Sequence, residues 1–152
     1  MDWRAAAILA HVVAAFWWVA GYVGTNVCTE LARRTNSATE GRAALLISGR
    51  IDRLLNAPGG TLVGLTGIAA LVVYGYSPLT PWIAGSISLM AFVVVLGITY
   101  WRRFGGRVEA SLEAGNWAAT RRILVEPRSV AISRVENAAV VSIVALMVLR
   151  PS

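Results

Sequence analysis

The sequence predicts an all-α integral membrane protein, a four-helix bundle with a basic interfacial helix between spans one and two. Hydrophobic residues make up 57% of the chain and charged residues only 14%, which is too apolar for an ordinary soluble domain. Charge is absent from three long stretches, residues 5–28, 59–101 and 137–149. The arginines are concentrated between these stretches, as in a multi-pass membrane protein.

The basic residues indicate which side of the membrane each link occupies. The net charge is +6, and all 14 basic residues are arginine. Twelve of them lie in the two links: Arg33, Arg34, Arg42, Arg50, Arg53, Arg102, Arg103, Arg107, Arg121, Arg122, Arg128 and Arg134. Arginines that flank apolar spans set topology, so we expect the lipid bilayer as their partner and no nucleic acid. The chain is therefore predicted to be a multi-pass protein of the bacterial inner (plasma) membrane, with cytoplasmic links and both termini outside.

The composition also restricts the chemistry. Cys28 is the single cysteine, so it cannot form an internal disulfide or a thiolate metal site alone. The absence of lysine removes Schiff-base chemistry. We find no nucleophile–base pair, phosphate-binding loop or metal-ligand spacing, and we assign no catalytic residue and no metal site. Asp2 and Arg4 cancel, so the first apolar run lacks the positive start of a cleaved signal peptide and is expected to remain as a span.

One transmembrane domain is predicted over residues 1–152, with four spans at about residues 5–31, 58–76, 81–101 and 129–149. The first is long enough to cross a hydrocarbon core of about 30 Å. Residues 38–56 begin with a capping box, Ser37 and Glu40, and carry apolar residues at helical spacing opposite arginines. This pattern is typical of a helix lying at the headgroups. We expect that helix to end before Pro58, which disfavours helical geometry at the preceding residue.

The third span has clear boundaries. Thr80 can cap it, with Pro81 at its first position. Trp82 and Trp101 bracket it 19 residues apart, about 28 Å along a helix, so each ring can lie at one membrane interface. Residues 105–125 then predict a cytoplasmic helical link.

The fourth span has the weakest signal. Its charge-free part has 13 residues, and it reaches crossing length only if it starts near residue 129 and includes Arg134 and Glu136 at its inner end. The alternative is three spans followed by an amphipathic C-terminal helix.

The single histidine is the candidate cofactor ligand. One face of the first span carries a stripe of polar and aromatic residues: His11, Trp18, Tyr22, Thr25 and Thr29. Lipid offers such a stripe no partner, so it should face other helices. Met90 and Met147 are expected at comparable depths, and histidine with methionine can ligate haem iron or copper. Haem b is therefore a possible cofactor. The alternative is a neutral histidine hydrogen-bonded across helices.

Small residues on the second span predict a close helix contact. One face carries Gly60, Gly64, Gly67 and Gly75, the first two forming a GxxxG motif. Small residues let helices approach closely in lipid, where dispersion drives packing. The partner is either another span of this chain or a second protein, including another copy.

An ion pair is predicted between Glu30, at the inner end of the first span, and Arg134, at the inner end of the fourth. Glu136 or Arg33 could replace one partner. Snorkelling to water and an ion or proton path are the alternatives. No carboxylate is expected deep in a span, which argues against proton-coupled transport.

Several short motifs resemble a known bacterial family. They are residues 11–21 (HVVAAFWWVAG), Pro58-Gly59, Thr66-Gly67 and the closing residues 146–151 (LMVLRP). Together they resemble the predicted integral membrane proteins with domain of unknown function 2269. More distantly, the opening helix resembles the four-helix proteins around the copper-resistance D family and the membrane protoporphyrinogen oxidase. That oxidase family pairs its first-helix histidine with a lysine that this chain lacks, so the resemblance does not imply oxidase activity.

The sequence favours a non-catalytic function. We expect a small accessory or assembly subunit that packs against other membrane subunits or against itself. The first alternative is a haem- or metal-binding redox protein that uses His11. The second is transport of a small solute or ion.

Overall fold

The computed structural model describes residues 2–149, and nearly all of them are helical. Within this range there are seven α-helices and two π-helical segments. They are α1 (Trp3–Arg34), α2 (Ala38–Ile51), π1 (Asp52–Asn56), α3 (Ala57–Tyr74), α4 (Pro81–Leu96), π2 (Gly97–Trp101), α5 (Arg102–Glu113), α6 (Trp117–Leu124) and α7 (Pro127–Leu149).

Four continuous helical stretches are long and apolar enough to cross a membrane. They are Trp3–Arg34, Ala38–Tyr74, Pro81–Glu113 and Pro127–Leu149. The prediction of an all-α protein with four such helices is confirmed. The last stretch is one uninterrupted helix of 23 residues, about 34 Å long, so the segment with the weakest sequence signal also has crossing length.

The chain contacts divide the molecule between Tyr76 and Ser77 into two compact units, where the sequence predicted one domain. In the N-terminal unit, α1 runs antiparallel to the rod formed by α2, π1 and α3. The two helical arms of this hairpin contact each other along its length. In four of these contacts the two residue numbers add up to 77. The pairs are Thr29 with Ser48, Gly21 with Asn56, Trp18 with Gly59, and His11 with Thr66.

The expected helix end before Pro58 is wrong. Ala57 is helical, with φ −64° and ψ −50°, and the rod continues through the proline. A proline inside a helix lacks one N–H and its ring clashes with the carbonyl four residues earlier. The widened turns of π1 immediately precede Pro58, and the Ala57 N–H bonds to the Asp52 carbonyl five residues back. A π-helical insertion is a usual way to absorb such a conflict. The basic segment 38–56 is therefore continuous with the second span, and its position at the membrane interface stays a prediction.

In the C-terminal unit, α4, π2 and α5 form a second long rod, and α7 packs against α4. The link 105–125, expected as one helix, is two helices. Gly115 has φ +68°, a conformation that favours glycine, and Asn116 caps α6 by accepting the Ala119 N–H at 2.9 Å.

Polar contacts fix the helices of this link to one another. Arg107 on α5 pairs with Glu126 at 3.1 Å, just before α7 begins. The Ser111 hydroxyl on α5 lies 2.7 Å from that of Thr120 on α6. The arginine-rich link is thus a folded helical hairpin.

Candidate functional site

His11 lies at the contact between α1 and α3, half-buried. Its Nδ1 is 3.2 Å from the Thr66 hydroxyl, and the ring also hydrogen-bonds to the Val63 backbone. Thr66 donates its single proton to the Leu62 carbonyl at 2.6 Å, so its oxygen accepts from the histidine. The tautomer with the proton on Nδ1 is the one that can donate to the Thr66 oxygen. This is the tautomer of a histidine that ligates through Nε2 while a hydrogen bond fixes the other nitrogen.

The rest of the α1 stripe faces the same rod. Trp18 and Tyr22 are buried, with ring centroids 6.2 Å apart. Thr29 reaches Ser48 at 3.2 Å, and the Ser48 hydroxyl also reaches the Thr25 carbonyl at 3.3 Å. The polar residues therefore find partners inside the N-terminal unit, as the argument from lipid exposure requires.

Met90 and Met147 are both in the C-terminal unit, on α4 and α7. A methyl group at Gly85 would lie 3.2 Å from the Leu146 side chain, which places the residue before Met147 beside Gly85 of α4. Relative to the contact between Gly85 and Leu146, Met147 is one residue away and Met90 is five residues away along its own helix. Ligation of one cofactor by His11 and either methionine stays a prediction. Within residues 2–149, no group of three or more His, Cys, Asp or Glu residues could hold a metal ion.

The glycines that allow the closest approach are not the ones with GxxxG spacing. A methyl group at Gly59 would lie 2.8 Å from the Trp18 Cα, and one at Gly21 would lie 2.5 Å from the Asn56 nitrogen. Among the predicted residues, a methyl group added at Gly60 would lie 3.5 Å from the Trp18 ring, and one added at Gly67 would lie 3.2 Å from the His11 ring. At Gly64 and Gly75 an added methyl group would meet nothing within 4 Å.

Gly75 has a different role from the predicted one. It ends α3 in the left-handed conformation, with φ +67°, and its N–H bonds to carbonyls of the last turn. This is the usual position of a helix-ending glycine, so its selection here is conformational.

Glu30 already has partners on its own helix. Its carboxylate accepts from Arg34 at 2.7 Å and from Arg33 at 3.5 Å. Arg33 is thus one of the residues that the sequence offered as a substitute partner. Arg134 is exposed on α7 of the other unit, and its pairing with Glu30 stays a prediction.

Glu136 is the polar residue that the sequence analysis undervalued. The sequence places it at the inner end of the fourth span, and in the structure it lies nine residues into α7, about 14 Å from Pro127. Only 7% of its surface is exposed. Its depth in the bilayer is a separate question, and the expectation that no carboxylate lies deep in a span stays a prediction. A seven-residue pattern of buried positions at 129, 133, 136, 140 and 143 could have located it, since Glu136 belongs to that face.

A comparison with protein families decides the relationship. The model of a family described as predicted integral membrane protein, DUF2269, matches residues 7–151. The chain belongs to the DUF2269 family. The resemblance found in the short motifs is thereby confirmed, and the chain is an integral membrane protein with four candidate spans. The family description carries no activity to transfer to His11 or Glu136.

Comparison of this DUF2269 chain with curated proteins and with solved structures found no match. The distant resemblance to the copper-resistance D family and the membrane oxidase stays a prediction. Any role for the sites must therefore be argued from their own geometry.

Proposed function

We propose that this DUF2269 protein is a non-catalytic subunit that packs against other membrane helices. The supporting observation is Gly64. Three glycines of α3 are used against α1, whereas Gly64 is exposed and an added methyl group would meet nothing. It lies among exposed apolar neighbours, Leu65 and Ile68. In lipid, a small residue on such a face lets a second helix approach closely enough for backbone and dispersion contacts.

Substitution of Gly64 by leucine should dissociate the protein from its complex in mild detergent. The bulky side chain would separate the two helices without touching the α1–α3 contact. The measurement is native mass spectrometry of protein extracted from its own membranes, where the wild type should exceed the 16.2 kDa chain mass.

The matched control is Gly49→Leu, at another glycine where an added methyl group meets nothing. It should leave the complex intact. Recovery of the wild type only as a monomer would contradict the proposal, as would equal effects of the two substitutions.

The proposed location is the bacterial inner membrane, with both arginine-rich links in the cytoplasm and both termini outside. Its support is the charge pattern: a link after the first span and a link after the third must lie on the same side of the membrane. Together they hold 12 of the 14 arginines.

A second candidate function, haem binding, has specific support at His11. The Thr66 hydroxyl lies 3.2 Å from Nδ1, and the tautomer with its proton there would present the Nε2 lone pair to a ligand. Arg4 lies seven residues earlier on the same face of α1, exposed, with its guanidinium 5.8 Å from the centre of the Tyr74 ring. His11 could hold a haem iron, with Arg4 available to a propionate. Bound haem would supply one-electron chemistry.

Protein purified with haem supplied should then show a Soret band, and His11→Ala should abolish it. Thr66→Val keeps the ligand but removes the acceptor for Nδ1, so it should weaken haem affinity by roughly 10- to 100-fold. Wild-type protein that stays colourless and metal-free under these conditions would end the haem hypothesis and leave the subunit proposal untouched.

A further inference from the structure

Glu136 is a buried carboxyl group without an ion-pair partner. The ion pairs among residues 2–149 involve Glu30 and Glu126, and no basic nitrogen lies within 4 Å of the Glu136 oxygens. Arg134 lies two positions earlier on α7, a spacing that points to the opposite side of a helix. Removing a carboxylate from water without a partner is costly, and proteins usually avoid it by keeping the group neutral.

The elements packed against α7 supply no opposite charge to Glu136. The stretch 81–101, which includes α4 and π2, has no charged residue, and its titratable group near this level is Tyr100. The Arg128 guanidinium lies over that tyrosine ring, 5.7 Å from its centre. Arg121 and Arg122 on α6 are exposed.

A polar side chain near Glu136 is the indole of Trp101, in the π-helical segment π2. That indole nitrogen is buried and has no hydrogen-bond partner among the described residues, so the Trp101 N–H and the Glu136 carboxyl group are neighbours that are not hydrogen-bonded to each other. An indole N–H donates only and cannot bind a metal cation. With one carboxyl group and one such donor, the site lacks the several oxygen ligands that a hard cation needs.

The buried face of α7 changes character at Glu136. On the side toward the N-terminal end of the helix, Ser133 and Ser129 occupy the buried positions one and two turns away. On the other side, the corresponding positions hold Val140 and Ile143. The serine side is therefore polar, with the Ser129 hydroxyl donating to the Leu124 and Glu126 carbonyls, whereas the other side is apolar.

We propose that the C-terminal unit contains a proton-binding site, the Glu136 carboxyl group beside Trp101, which exchanges its proton through the N-terminal end of α7. The apolar half of α7 closes the site toward the other end. This site goes beyond the helix-packing function, and neither proposal depends on the other.

The test is labelling with dicyclohexylcarbodiimide in native membranes. This apolar reagent reacts with protonated carboxyl groups: the acid proton moves to a carbodiimide nitrogen and the carboxyl oxygen bonds to the central carbon. Rearrangement gives a stable N-acylurea with the whole reagent added and nothing released. Mass spectrometry should locate the label on Glu136, and the labelled fraction should fall across a pH series from acid to alkaline.

Matched controls separate this site from ordinary carboxyl groups. Glu136→Gln should lose the label completely, while the arginine-paired Glu30 and Glu126 should stay unlabelled in the wild type. A water-soluble carbodiimide with an amine should give the reverse pattern. Absence of label on wild-type Glu136, or labelling that is constant over this pH range, would overturn the proposal. Protection by sodium ions at fixed pH would also overturn it, in favour of a cation site.

Discussion

Gly21→Ala should remove most of the folded protein, although alanine is the better helix former. The added methyl group would lie 2.5 Å from the Asn56 nitrogen and 2.8 Å from the Leu55 carbonyl carbon. Both are backbone atoms of the neighbouring rod, so no side chain can rotate to make room. Either the two rods separate or the hairpin shifts along its length, and overpacking of this kind costs about 1–3 kcal/mol or more.

The matched control is Gly49→Ala, in α2 of the same rod. There the methyl group meets nothing within 4 Å, so the gain in helix propensity, up to about 1 kcal/mol, should be retained. The measurement is the yield and thermal midpoint of detergent-solubilised protein by fluorescence-detected size exclusion. The two substitutions should move the midpoint in opposite directions. A Gly21→Ala protein as stable as Gly49→Ala would mean that α1 and π1 do not approach this closely.

Reporters fused along the chain should alternate in compartment with each of the four long helices. Fusions at Thr35 and Asn116 should be cytoplasmic, because both follow an odd-numbered span and lie in arginine-rich links. Fusions at Pro78 and after Ser152 should be external. The expected effect is all-or-none, since each reporter is active on one side of the membrane only. A paired alkaline phosphatase and fluorescent-protein series provides the measurement.

Each fusion tests a different helix. A cytoplasmic reporter after Ser152 would show that α7 does not cross and would support the three-span alternative. An external reporter at Thr35 would reverse the orientation of the whole chain and contradict the assignment from arginine. Pro78 serves as the internal control, because it lies in the uncharged turn between the two units.

The sequence predicted the helical content and the four long apolar helices because both depend on local composition. It could not predict the behaviour at Pro58, because the cost of an internal proline depends on the hydrogen bonding of the preceding turn. The π-helical turns of Asp52–Asn56 accommodate the proline, and no residue pattern in that segment identifies them in advance.

In the candidate sites too, the sequence predicted what depends on residue type and spacing, but not what depends on packing between helices. His11 was found because it is unique, but its hydrogen bond to Thr66 depends on the register of a helix 55 residues away. The spacing of glycines indicated that α3 makes a close contact, yet the tightest approach is at Gly59 and Gly21, which the motif omits. The spacing of the glycines identifies the face of α3 that makes the contact. Which residue of that face contacts α1 depends on how the two helices pack. The burial of Glu136 could not be predicted from the sequence, because it depends on which elements pack against that face of α7.

The antiparallel register of the N-terminal hairpin has a consequence for biogenesis. The contacts described for this hairpin lie between Trp3 and Tyr74. They join α1 to the rod of α2, π1 and α3, which follows α1 directly along the chain. During synthesis from the N-terminus, they can all form before the second half of the protein leaves the ribosome. Pairing of sequence neighbours keeps the loop that must close short, which favours rapid assembly. Insertion of the first two helices as a finished pair would also hide the polar stripe of α1 from lipid, because its partners enter the membrane with it.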